Sequence, residues 1–146
     1  MGTESQGFTD DIAFWRRGTF AWMLIIALES LHGAVREIFI APVLGDLRAR
    51  QLGVLVGCVI VLLVAWLTAR WLAANTRRLQ LTAGLLWVAL TLVFEIALGR
   101  AIGASWDRIL EDYNPARGGF MLLGIAFMAC APMLAARLRN LSRNDR

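Results

Sequence analysis

The chain has 146 residues, of which 58% are hydrophobic, and its mean hydropathy is +0.60. A soluble domain of this size disperses its apolar residues with helical or strand periodicity, whereas here they fall into long runs. A soluble bundle this short has no place to bury helices that are apolar on every face, which argues against a soluble all-α fold. The formal charge is +4 and every basic residue is arginine.

Four apolar runs predict four transmembrane helices. Each run has about 18 to 20 residues, and a helix that rises about 1.5 Å per residue needs that length to cross a hydrocarbon core about 30 Å thick. Four tryptophans near the run ends are typical of an interfacial belt. No cleavable signal is apparent, so the first run is expected to be an uncleaved anchor. The runs are 18–35, 52–69, 79–98 and 119–136, and the tryptophans are Trp15, Trp66, Trp71 and Trp106.

In chain order, the sequence predicts a polar tail (1–14), a single membrane domain (15–136) and a basic tail (137–146). The membrane domain divides into two hairpins, about 15–70 and 79–136, each with a long loop outside the membrane. The short turn RWLAANTRR joins the hairpins on the inside. The predicted fold class is therefore all-α, an integral membrane four-helix bundle, with the lipid bilayer as its first partner.

The arginines predict the orientation of the spans. With the N-terminus inside, nine arginines lie in cytoplasmic segments and six lie outside, which favours both termini in the cytoplasm. The predicted location is the bacterial inner membrane. The basic tail is typical of a stop-transfer flank that touches anionic lipid, so nucleic acid is not an expected partner.

The two hairpins resemble each other in sequence. An offset of 66 residues aligns 22–57 with 88–123 without a gap and gives six identities. Acidic residues inside spans are rare, so the repeated order of Glu, Gly, Asp and Gly carries most of the weight. The pattern predicts a tandem duplication with a parallel repeat, whose pseudo-two-fold axis lies along the membrane normal. The matched pairs are Glu29 with Glu95, Gly33 with Gly99, Asp46 with Asp112, Gly53 with Gly119, Leu24 with Leu90 and Leu44 with Leu110.

The two outside loops are predicted to lie against the membrane surface. In the first, Pro42 and Gly45 are expected to end the span, and Asp46 is a candidate N-cap of the next helix. In the second, SWDRILEDYNP predicts a short amphipathic helix that ends at an Asn-Pro pair. The residues expected to form an outer-loop interface are Asp46, Arg50, Trp106, Asp112 and Tyr113.

A polar cluster is predicted within the outer half of the membrane. Glu29 lies about 18 Å along its helix from Arg17, and Glu95 about 25 Å from Arg78, at 1.5 Å per residue. The only histidine, His32, follows Glu29 on the same face. Gly33 and Gly99 are expected to allow close helix approach above the glutamates. The predicted cluster consists of Glu29, His32, Arg36, Glu95 and Arg100.

Three functions are compatible with this cluster. In the first, Arg36 and Arg100 pair with the two glutamates and brace the bundle of a non-catalytic accessory or interaction subunit, within a homo-oligomer or a larger membrane complex. In the second, Glu29 and Glu95 share a proton that a small transporter exchanges for a cationic substrate. In the third, Glu29, His32 and Glu95 bind a metal ion, because Glu-x-x-His is the pair that di-iron bundles use. The first is the leading hypothesis.

Other functions find less support in the sequence. One histidine cannot supply bis-histidine haem ligation, and the expected cofactor is unknown. No Ser/His/Asp set, Walker or dinucleotide glycine pattern, or HExxH motif occurs. An enzyme that uses Glu29 and Glu95 as acid and base is compatible with the sequence, although nothing requires it.

The sequence also resembles a family of small bacterial four-span membrane proteins without an established activity. The shared segments are LESLHGAVREIFIAPVLGDLRARQLGV, LVFEIALGR and SWDRILEDYNPARGG, and the resemblance covers most of 20–136. It implies the four-span fold and places the polar cluster among the features common to the family. It implies no activity for this chain.

Overall fold

The computed structural model describes the backbone of residues 3–139 and the side chains of residues 11–139. The basic segment 140–146 of the predicted tail lies outside the described residues. All regular structure in the described part is helical. The α-helices are α1 (Thr3–Val35), α2 (Ala41–Leu44), α3 (Asp46–Leu72), α4 (Arg77–Ala101), α5 (Trp106–Glu111) and α6 (Met121–Leu138), with a π-helical turn at Arg36–Ile40 and a 3-10 turn at Pro115–Arg117.

Three of these helices, α3, α4 and α6, are long and apolar enough to cross a membrane. Their outward faces carry large apolar side chains, and Val59, Val93 and Leu123 are each about two-thirds exposed. Water would penalise a surface of this kind, whereas hydrocarbon accepts it. The described chain is therefore an all-helical protein with membrane-spanning character.

Helices α1 and α6 each pack against both α3 and α4. The buried core between them is rich in small side chains, including Ala21 on α1, Ala65 on α3, Ala83 on α4 and Ala135 on α6. Small residues let helix backbones approach closely, which is the main source of packing energy between helices in lipid. Trp87, fully buried, fills the space that remains and donates its indole N–H to the Gly18 carbonyl at 2.9 Å.

The closest helix approach lies between α4 and α6. A Cβ on Gly84 would overlap the backbone of Ala129, so only glycine fits at this position. Gly33 and Gly99, which the sequence predicted as sites of close helix approach, do not contact a second long helix in this way. Gly33 has no neighbour within 4 Å of an added Cβ, and Gly99 faces the Ile109 side chain rather than a second long helix. The expected close approach of helices at Gly33 and Gly99 is therefore wrong.

The helix ends also differ from expectation. Helix α1 begins at Thr3, so the segment predicted as a polar tail continues the helix of the first apolar run. The predicted N-cap at Asp46 is wrong. Gly45, at φ 82°, is the N-cap residue and makes no side-chain cap, while Asp46 is the first residue of α3 and pairs with Arg50 instead. Thr76 does cap α4, by accepting a hydrogen bond from the Leu79 N–H.

Candidate functional site

A cavity of about 480 Å³ lies among α1, α3, α4 and α6, beneath the connection between α4 and α6 (residues 102–120). Most of its wall is apolar. Glu29 and His32 enter the wall from α1, Arg36 from the π-helical turn that follows α1, and Glu95 from α4. Four of the five residues in the predicted polar cluster therefore line one cavity.

Two glycines of α3 make room for the α1 side chains. The Glu29 carboxylate lies over Gly57, about 3.0 Å from the position of an added Cβ, and the Arg36 side chain lies over Gly53 at the same distance. His32 also borders Gly53, and its Nδ1 is 3.7 Å from Glu29 Oε2. The polar residues of α1 and of the turn that follows it thus lie one after another along a glycine face of α3.

On α4, Glu95 accepts a hydrogen bond from the Tyr113 hydroxyl, with an O···O distance of 2.6 Å. Tyr113 lies in the α4–α6 connection, outside the apolar helices. Burial raises the pKa of the Tyr113 hydroxyl, and the hydrogen bond to Glu95 and the negative charges of Glu95 and Asp112 raise it further. Tyr113 is therefore a neutral hydrogen-bond donor at physiological pH.

Arg50, at the first turns of α3, forms the second polar centre and also lines the cavity. Its guanidinium contacts the carboxylates of Asp112 at 2.5 Å, Asp46 at 3.1 Å and Glu111 at 3.8 Å. Nearby, the Gln51 side-chain amide donates to the Gly118 carbonyl at 2.9 Å. These contacts tie the start of α3 to the α4–α6 connection and close one end of the cavity.

The expected arginine partners of the glutamates are placed elsewhere. Arg100 lies outside the cavity wall, donates to the Ala104 carbonyl at 3.1 Å and stacks on Trp106. Arg36 pairs with Glu37 at 3.6 Å rather than with Glu29 or Glu95. Within residues 11–139, no arginine forms an ion pair with Glu29 or Glu95. Each of the two arginines instead has a partner close to it in sequence, Glu37 for Arg36 and Ala104 for Arg100.

The metal hypothesis finds no geometric support. Among the described side chains, no group of three or more His, Cys, Asp or Glu residues is close enough to hold a metal ion. Glu29 and His32 are adjacent, whereas Glu95 lies on a different helix and is hydrogen-bonded to Tyr113.

The predicted outer-loop residues divide into two groups. Asp46, Arg50 and Asp112 meet in one ion-pair cluster, which Arg108 also joins, and Tyr113 lies over Glu95. Trp106 is about half-exposed, and the Arg100 guanidinium stacks on its ring. The sequence identified these residues as a set but not their partners.

Some residues of the site were missed by sequence reasoning. Gly53 and Gly57 form a Gly-x-x-x-Gly pattern, which is a known signal for close helix packing, and it would have placed α3 against Glu29. Thr91 on the cavity wall accepts a hydrogen bond from the Trp22 indole at 3.0 Å and lies 3.5 Å from the Met128 sulfur. No local pattern predicts that contact, because its three residues come from three different helices.

No protein-family model, curated protein or solved structure matches this chain. The site must therefore be interpreted from its own chemistry.

Proposed function

We propose that the cavity binds a small organic cation between Glu29 and Glu95, and that the protein exchanges this cation for a proton across the membrane. The observation that carries the proposal is the absence of an arginine partner for either carboxylate among the described residues. Both line one cavity, and no arginine among the described residues neutralises either of them. The arginine–glutamate pairs expected to brace the bundle do not form among the described residues, while the accessory or interaction subunit itself stays a prediction.

The electrostatics of the cavity support exchange. Glu29 and Glu95 line the same cavity, and two carboxylates that share an apolar wall repel each other. Either a proton or a bound cation removes that repulsion. A cation that enters between them therefore displaces a proton, which couples the two movements.

The cavity itself supports a solute of modest size. Its volume of about 480 Å³ is within the range of small-molecule pockets. Ile25, Val61, Phe94 and Met128 supply an apolar wall, and the carboxylates supply the few polar groups that fix orientation. The proposed substrate class is accordingly an organic cation with an apolar body.

For the membrane arrangement, we propose four spans with both termini in the cytoplasm of a bacterial cell. Helix α1 would be the fourth span, since 18–35 forms its apolar half and it packs against α3 and α4. The arginine count supports the orientation. Two of the matched pairs, Glu29/Glu95 and Gly53/Gly119, line the cavity. A third pair, Asp46 and Asp112, contacts Arg50. The shared location of matched residues supports a duplicated hairpin.

Proton exchange can be tested in liposomes that contain the purified full-length protein and a pH-sensitive dye. Tetraethylammonium is a suitable probe because its permanent charge prevents leakage as a neutral base. When it is added outside, we expect the lumen to become alkaline as protons leave. Glu29→Gln and Glu95→Gln should each abolish the signal, because the amide keeps the shape but neither carries charge nor releases a proton.

Asp107→Asn is the matched control, since Asp107 is an exposed carboxylate on α5 that does not line the cavity. It should leave the flux unchanged. Flux that persists in both glutamine variants would contradict the proposal.

The second candidate function is the accessory or interaction subunit, in a homo-oligomer or a larger complex. The observation that favours it is the set of polar contacts that join the hairpins through Arg50 and Gln51. Under that hypothesis the wild type shows no flux, and Glu29→Gln or Glu95→Gln lowers thermal stability in detergent. The same two variants therefore distinguish the two functions.

A further inference from the structure

Arg36 is a cation in the cavity wall with unused hydrogen-bonding capacity. Its side chain is only 25% exposed, and its Nε–H is buried without a hydrogen-bond partner. The one ion pair that it forms among the described residues is with Glu37 at 3.6 Å, and Glu37 is 66% exposed. A contact with so exposed a neighbour contributes little, because water screens it.

Arg50 differs from Arg36 in the number of its counter-charges. Arg50 also lines the cavity, and its Nε–H is likewise buried without a partner, but three carboxylates surround its guanidinium. Its charge is therefore already balanced within the protein. Arg36 has no such set of partners, so an anionic group in the cavity would gain a charge-assisted hydrogen bond there.

Two features of the backbone hold Arg36 in this position. Gly53 on α3 leaves the space that its side chain occupies, since an added Cβ would come within 3.0 Å of the Arg36 Cδ. The π-helical turn Arg36–Ile40 begins at this residue. Such turns are rare and often occur at functional sites, because the wider turn changes the direction of the side chains that follow.

We infer that Arg36 binds an anionic group of the solute, so that the natural substrate is an amphipathic zwitterion rather than a simple cation. The inference rests on the proposed function, in which Glu29 and Glu95 hold the cationic end. Glu29 and Arg36 are seven residues apart, about 10 Å along the helix at 1.5 Å per residue. The two charges of the substrate are therefore separated by several bonds, with an apolar body between them.

Three probes of equal length separate the contributions of the two charges. 6-Aminohexanoate carries both charges, 6-aminohexan-1-ol only the cation, and 6-hydroxyhexanoate only the anion. Binding is measured by calorimetry on the full-length protein in lipid nanodiscs. We expect 6-aminohexanoate to bind about tenfold more tightly than 6-aminohexan-1-ol, the effect of one charge-assisted hydrogen bond, and 6-hydroxyhexanoate to bind most weakly.

Arg36→Gln should abolish this preference by weakening 6-aminohexanoate about tenfold while leaving 6-aminohexan-1-ol unchanged. The matched control is Arg48→Gln, which removes an exposed arginine of α3 outside the cavity and should leave the preference intact. If Arg36→Gln does not yield monodisperse protein, Arg36→Lys replaces it. Lysine keeps the charge but lacks the forked donors, so we expect a preference that is retained in part, and loss of the whole preference in Arg36→Lys together with an unchanged preference in Arg36→Met would contradict the inference.

Different binding results would overturn the role of Arg36 and the cation site. Equal binding of 6-aminohexanoate and 6-aminohexan-1-ol, with both weakened by Glu29→Gln, would overturn the role of Arg36 and leave the cation site standing. Insensitivity of both probes to Glu29→Gln, or no binding of either, would overturn both proposals.

Discussion

Tyr113 links the cavity to the α4–α6 connection through one hydrogen bond. Its hydroxyl donates to Glu95, the carboxylate that we propose as half of the cation site. A proton or cation that neutralises Glu95 weakens this bond, because a charged acceptor is the stronger one. At the residue scale, occupancy of the cavity is thus coupled to the segment that covers it.

The pKa of Tyr113 provides a direct test, since it is the only tyrosine of the chain. Phenolate absorbance near 295 nm should appear well above pH 10 in the folded protein, and Glu95→Gln should lower the transition toward the ordinary value of about 10. Because burial, the hydrogen bond and the nearby carboxylates all oppose the phenolate, the raised pKa means that this site's contribution to stability is complete below about pH 10 and is lost as the pH rises further. Guanidinium-unfolded protein is the reference, and coincident titration of folded and unfolded protein would contradict the contact.

At the scale of the elements, glycines set the distances between helices. Gly84 allows α4 to touch the backbone of α6, and Gly53 and Gly57 make room on α3 for the polar side chains of α1. The two kinds of contact differ in whether backbone or a side chain lies against the glycine. The backbone of Ala129 cannot move without its helix, whereas the ends of the Glu29 and Arg36 side chains can rotate away.

Gly84→Ala is therefore expected to be strongly destabilising, by about 1 to 3 kcal/mol or more, since the added methyl group forces α4 and α6 apart. Gly33→Ala is the matched control, because nothing lies within 4 Å of its added Cβ. It should be neutral or stabilising by up to about 1 kcal/mol from helix propensity. Thermal unfolding in detergent, followed by circular dichroism, measures both. Equal effects of the two substitutions would show that α4 and α6 do not approach at Gly84.

At the scale of the whole molecule, Arg50 joins the two predicted hairpins. It lies on α3, in the first half of the chain, and contacts Asp112 and Glu111 in the second half as well as Asp46 in its own. The Arg50 side chain is 12% exposed, whereas that of Asp112 is 41% exposed. The pair is thus only partly shielded from water, which limits its energy.

A double-mutant cycle with Arg50→Gln and Asp112→Asn should give a coupling energy of about 1 kcal/mol. Each single change should lower thermal stability, and the double change should cost less than the sum. The exposed Arg48→Gln provides the reference for loss of charge alone. Purely additive effects would show that the contact does not hold the hairpins together.

The helical fold could be expected from the sequence, because hydropathy and run length are local properties. Residues 52–69, 79–98 and 119–136 lie mostly within α3, α4 and α6, which are apolar and long enough to cross a bilayer. The convergence of Glu29, His32, Arg36 and Glu95 was also predictable, since helical spacing and the cost of buried charge favour one interior face. Their partners could not be predicted, because each arginine had several acidic residues within reach.

The sequence alone determined that this protein is helical and apolar and that two glutamates lie within the apolar helices. The reason is that burial in lipid depends on each segment separately. Only the tertiary structure decided that Tyr113 rather than Arg100 contacts Glu95, that Arg50 binds several loop carboxylates, and that Arg36 has no buried counter-charge among residues 11–139. Those outcomes depend on where four helices and a short connection meet in space, and that position follows from packing at glycines such as Gly57 and Gly84.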